Sequence, residues 1–228
     1  MKNEKGSIVV WLLVGVLLFA ALGVTMMRGS RTSNVSLSNE EAKTYAKMMI
    51  SQAEEIKSVV KRLQFRGCSE TQINLAHDGI NINPTAPPNN KCDVFHPSGG
   101  GLTYKRSPIK AHHPDYVNVP GGYGDYNFVS GFQIEGNGTD ATDLTTQVNF
   151  VLPDVCMAIN DILGVSNPNG AIPVETNDNG NISFEGVYGP TRANTIGDDG
   201  GHDLAGKPAY CRSGSGIYGQ LVYVLIAR

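Results

Sequence analysis

Ser38 to Phe65 reads SNEEAKTYAKMMISQAEEIKSVVKRLQF, and its periodicity decides the fold class. Ser38 with Glu41 three residues on is a capping-box pattern, in which each side chain satisfies a backbone N–H that the first helical turn leaves open. Ala42, Tyr45, Ala46, Met49, Ala53, Ile56, Val60 and Leu63 then recur at three- and four-residue steps. Lys43, Lys47, Glu54, Glu55, Lys57 and Lys61 occupy the opposite side. The spacing predicts an amphipathic helix over 38–65, ended by Gly67. Its apolar stripe needs a cover, either the domain's own sheet or a helix of a partner.

Downstream the pattern changes. Cys68 to Tyr126 is punctuated by NPTAPPNN, HPSGGG and VPGGYG, which marks a long turn-rich excursion with one or two short strands. Tyr126–Glu135 and Thr145–Leu152 have strand composition across a Gly/Asn/Asp-rich connection. Pro153-Asp154 opens a short helix with Val155, Cys156, Ile159, Ile162 and Leu163 on one face, closed by Gly164. Asn181–Tyr188 reads as a further strand after an Asp-Asn-Gly turn. Ile217–Ala227, IYGQLVYVLIA, is apolar on both faces, as a central strand is. A long helix followed by strands predicts an α+β domain over residues 66–228 with a mainly antiparallel sheet and long turn-rich loops.

Upstream, residues 28–37 form a polar hinge, and before it Ser7 to Met27 reads SIVVWLLVGVLLFAALGVTMM with no charge. A helix of that length spans roughly 31 Å, close to the hydrocarbon thickness of a bilayer. The expectation is an N-terminal transmembrane helix at 7–27 behind a short basic leader, residues 1–6. A cleavable signal peptide fits less well, because the apolar run is long and no A-x-A-like site follows it. Lys2 and Lys5 before the span balance Arg28 and Arg31 after it, so flanking charge does not orient it.

The cysteines speak to compartment. Cys68, Cys92, Cys156 and Cys211 all lie beyond the apolar span, and no CxxC pair gives them a metal or redox role. An even number suits two disulfides in an oxidising compartment. Three connectivities exist; proximity along the chain favours Cys68–Cys92 with Cys156–Cys211.

Net charge is −3 and no basic run occurs outside the flanks of the span, so nucleic acid is not an expected partner. No G-x-S-x-G elbow, H-E-x-x-H helix, phosphate loop or dinucleotide fingerprint is present, and the chain is not expected to be an enzyme. Gly99-Gly100-Gly101 and Gly214-Ser215-Gly216 read as turns, since neither opens a helix. Three polar clusters carry side chains that could ligate a metal. Glu175, Asn177 and Asn179 place oxygen ligands at positions 1, 3 and 5 of an EF-hand-like loop with Gly180 at 6. Glu185 falls one residue short of the bidentate position, and Asn179-Gly180 is also an ordinary hairpin turn. Calcium is the cofactor this cluster would take; no other cofactor is implied. Asp198, Asp199, His202 and Asp203 form an acidic loop, and His112, His113 and Asp115 a Pro-flanked one.

The first 65 residues resemble the N-terminal part of type IV pilin-like proteins, in particular minor pilins and pseudopilins. The matching features are the leader ending Lys5-Gly6, the small residue Ser7, the apolar span and the amphipathic helix after it. The resemblance implies cleavage between Gly6 and Ser7, packing of the apolar segment against other pilin-like subunits, and a disulfide-bonded α+β head outside the cytoplasm. Most such subunits carry Glu five residues into the mature chain. Here that position is Trp11, and subunits at a filament tip commonly lack the Glu. The expected role is therefore structural: a minor pilin-like or pseudopilin-like subunit of a bacterial filament or secretion apparatus. Its expected location is the inner membrane, with the bilayer and sister subunits as partners and the head periplasmic or extracellular. The alternative is a membrane-tethered binding module for a glycan, peptide or protein, built on the long loops.

Overall fold

A computed structural model describes residues 37–116, 124–176, 182–190, 194–197, 203–214 and 218–228. Helix α1 (Asn39–Phe65) forms where the periodicity places it, and its start is the anticipated capping box: the Ser38 hydroxyl accepts from the Glu41 N–H, and the Glu41 carboxylate accepts from the Ser38 N–H. Ala42, Ala46, Met49, Ala53, Ile56, Val60 and Leu63 are all buried. They pack against the second helix and the sheet of the same chain.

Among the described residues the sheet has five strands: β1 (Asn127–Ile134), β2 (Asp143–Val151), β3 (Thr195–Ile196), β4 (Ala209–Ser213) and β5 (Gly219–Ile226), in the spatial order β3-β1-β2-β5-β4. Helix α2 (Pro153–Leu163) follows β2 directly, with Pro at its first turn and Gly164 left-handed at its end (φ 67°). Both helices cover one face of the sheet, where Phe128, Leu144, Val148, Leu221 and Leu225 meet them. The opposite face carries Val129, Phe132, Ile134, Tyr210, Val222 and Val224, capped by Val165, Ile196 and Leu204. β5 therefore alternates between two cores, which is why its sequence is apolar on both sides.

Bulges curl this sheet. Between Val129 and Phe132 the β1 register on β2 gains one residue, which turns Phe132 and Ile134 to the same side as Val129. A second shift lies between Val148 and Val151 of β2, where Phe150 adopts φ +60°, rare for a bulky residue. The result is visible across the sheet: the Arg212 guanidinium of β4 lies 5.4 Å from the Phe132 ring of β1, although two strands separate them. In a flat sheet those strands would stand roughly 14 Å apart.

Several expectations need correction. No helix among the described residues is long and apolar enough to cross a membrane: α1 has the length but carries Lys or Glu at almost every turn, and α2 has only 11 residues. Ser7–Met27, on which the transmembrane expectation rested, lies outside the described residues, as do the leader and most of the hinge. The expected mainly antiparallel sheet is a curled mixed one: β1–β2, β2–β5 and β4–β5 pair antiparallel, and β3 pairs parallel with β1. Of the expected strand Asn181–Tyr188, the described residues 182–188 form none: they meet β1 at the Val129–Ser183 bridge and through the Ser130 hydroxyl, which donates to the Val187 carbonyl at 2.8 Å. β3 and β4 had no sequence signal, being short and, in β4, interrupted by Arg212.

Both favoured disulfides are present. Cys68–Cys92 (Cα–Cα 5.8 Å) ties the base of the excursion, and Cys156–Cys211 (5.3 Å) joins α2 to β4; no cysteine is free. Beside the second, the buried Asn160 side chain donates to the Cys211 carbonyl at 2.8 Å and accepts from its N–H at 2.7 Å. That pairs the outer edge of β4, beyond which the described residues place no strand and only the Val174–Ser213 bridge. The described residues of the excursion contain three short 3-10 turns (Glu70–Gln72, Ile109–Ala111, Pro114–Tyr116) and isolated bridges in place of the expected strands.

Candidate functional site

The glycine run at 99–101 is a packing device. A Cβ on Gly99 would lie 2.3 Å from the Asp93 carbonyl oxygen, and one on Gly100 2.4 Å from Val59 Cγ1. The closeness lets Arg62 and Arg66 of α1 donate to the Gly100 and Gly99 carbonyls, at 2.6 and 3.1 Å. From there the chain returns along α1, and a pocket of about 360 Å³ opens between the helix and residues 105–108. Lys47, Gln52 and Glu55 of the helix face Lys105, Arg106, Ser107 and Pro108 across it, with Tyr126 also lining it.

Each wall is fixed by identifiable contacts. The Tyr126 hydroxyl donates to the Met49 carbonyl at 3.1 Å, and burial pushes its pKa up. Arg106 Nε donates to Asp125 Oδ1 at 2.7 Å, a charge-assisted bond that raises the Arg106 pKa further. Gln52 is only 7% exposed, and its amide nitrogen has no hydrogen-bond partner among the described residues. An unmet buried donor costs about 1–3 kcal/mol, so this one is held by the packing around it.

Ser107 has the most specific surroundings. Pro108 and the 3-10 turn Ile109–Ala111 fold the chain back, and His112 then pairs with Val151 at the β2 bulge. This brings His112 Nε2 onto the Ser107 hydroxyl, while His112 Nδ1 lies 3.0 Å from the Asn149 carbonyl oxygen. A carbonyl only accepts, so Nδ1 carries the proton, and in the neutral ring Nε2 accepts from Ser107. Burial lowers the His112 pKa, which keeps the ring neutral. Both side chains are buried, at 5% and 3% exposure. The order is thus hydroxyl, imidazole, fixed acceptor, with Ser107 on the pocket wall.

No family model, curated protein or solved structure matches this chain.

The metal candidates fare unevenly. Among the described residues no three His, Cys, Asp or Glu side chains cluster as a metal site. Glu175 is buried and its carboxylate accepts from the Gly197 N–H at 3.0 Å, whereas Glu185 is exposed; Asn177 and Asn179 lie outside the described residues. His112 and His113 diverge: the first faces Ser107, while the second lies 3.6 Å from Asp115 and packs on Tyr218. Asp203 pairs with Lys207 at 3.4 Å, while Asp198, Asp199 and His202, like Gly6 and Ser7, lie outside the described residues. His112 stands out in the sequence as a candidate ligand, whereas Ser107 and Gln52 carry no motif: the 3-10 turn and the β2 bulge bring Ser107 to His112, and the fold alone puts Gln52 on the same pocket.

Proposed function

We propose that the chain is an extracytoplasmic assembly subunit of the type IV pilin-like kind. The observation that carries this reading is the 27-residue helix α1, which lies by one face on the curled sheet of its own head and leads that head from the amino-terminal side. Two disulfides with no cysteine left over support an oxidising compartment. The uncharged run Ser7–Met27 supplies the segment that packs among sister subunits, and Trp11 in place of Glu suits a subunit at the tip. The test is incorporation. A chain lacking residues 7–27 should keep both disulfides yet vanish from the sheared filament fraction, and its continued presence there would refute the role.

A second reading, an extracytoplasmic binding module, draws on the pocket between α1 and residues 105–108. Such a module keeps its ligand affinity when residues 7–27 are deleted.

A further inference from the structure

We propose that Ser107 is a nucleophile activated by His112 and that the pocket beside α1 accepts a carboxylic ester. The inference is independent of the assembly role. It rests on three coincident features. Ser107 lines the pocket and its hydroxyl is bonded to His112 Nε2. The Asn149 carbonyl, beside the left-handed Phe150 of the β2 bulge, holds the imidazole in the tautomer a general base requires. Gln52, on the helix wall that faces Ser107 across the pocket, keeps a buried amide nitrogen with no partner among the described residues, a donor available to an oxyanion.

The step balances with water as the only co-reactant. Ser107 Oγ bonds to the ester carbonyl carbon as His112 Nε2 takes the hydroxyl proton. The carbon–oxygen bond to the alcohol breaks, and the alcohol leaves with that proton. Water then attacks the acyl-Ser107 carbonyl, gives a proton to Nε2, and releases the carboxylic acid as Ser107 recovers its hydrogen. Asn149 acts through His112 and is a positioning residue.

The purified full chain, with both disulfides intact, is incubated with a fluorophosphonate probe and with 4-nitrophenyl acetate, and the probe adduct is mapped by peptide mass spectrometry. The expected adduct is on Ser107. Ser107→Ala should abolish it, and His112→Gln should slow labelling by about 100-fold or more. Gln52→Ala, distant from the nucleophile in sequence, should lower the ester turnover about 100-fold while Ser107 stays present. If a variant loses its fold, the adduct site in the unaltered chain decides alone. No adduct, or labelling at other serines at the same rate in Ser107→Ala, overturns the proposal.

Discussion

The two faces of the curled sheet are built on different physics. The helix-covered face is mainly apolar: Met49, Ile56, Val60, Leu63, Leu144, Val148 and Leu221 are buried against one another, and both disulfides lie in the same cluster. The inner face has a smaller apolar cluster and mixes it with buried polar groups. Arg212 is 1% exposed, bonded to Gln220 at 3.1 Å, and one of its terminal nitrogens has no partner among the described residues. Gln220 donates to Gln147 and Asn149, and Asp143 accepts from the Ile134 and Arg228 N–H groups. One face resists disruption by area and cross-links, the other by pairing. Substitutions and pH should therefore act on them unequally.

The largest effect should come from the cross-links of the helix-covered face. Removing Cys156–Cys211 as a double alanine variant is expected to lower unfolding free energy by about 4 kcal/mol, since its loop spans 55 residues. Removing Cys68–Cys92, with its 24-residue separation, should lower it by slightly less, a difference under about 1 kcal/mol. Denaturant titration of both under non-reducing conditions reads this directly, and a reversed ranking would break the loop-entropy account. Next comes Ile56→Ala at the centre of the same face, which should cost about 3 kcal/mol in the same titration.

On the inner face the corresponding sensitivity is to protons. Burial raises the Asp143 pKa from 3.8 to about 6. The native state then holds this proton more tightly than the unfolded chain. The associated stability is full below about 3.8 and lost as pH rises through about 6, a change of roughly 2–3 kcal/mol. Asp143→Asn should flatten that stretch of a stability–pH curve, whereas Ile56→Ala should shift the whole curve down without changing its shape. The smallest effect is expected at Arg212. Arg212→Met fills similar space without the unmet donor and should change stability by under about 1 kcal/mol, while Arg212→Ala leaves a void and should be clearly worse. Equal losses from the two would mean that the guanidinium charge itself holds the inner face.

The same division explains what the sequence made legible. Helix α1 was readable to within one residue because its stripe, its cap and its charges agree on a single period. β5 was readable because two apolar faces leave it only a central place, and the disulfide pairing followed from neighbouring segments. The inner face was not legible. β4 is five residues with an Arg at its fourth position, and β3 is two residues paired to β1 beyond a bulge. Register shifts turn Phe132 inward and expose the Asn149 carbonyl to His112, and neither event has a local signature. The Ser107–His112 contact depends on such an event. A reader of SPIKAH sees a loop; the bulge makes it a relay. The buried pairing of Asn160 with both backbone groups of Cys211 escaped notice for the same reason, since it joins residues 51 apart.

The placement of α1 ahead of a doubly cross-linked head, with an uncharged run before it, makes the amino terminus the deciding feature of the assembly role. N-terminal sequencing of the chain isolated from a host with an active prepilin peptidase tests this most directly. The expected first residue is Ser7, released by cleavage after Gly6. A chain beginning at Met1 in that host would contradict it.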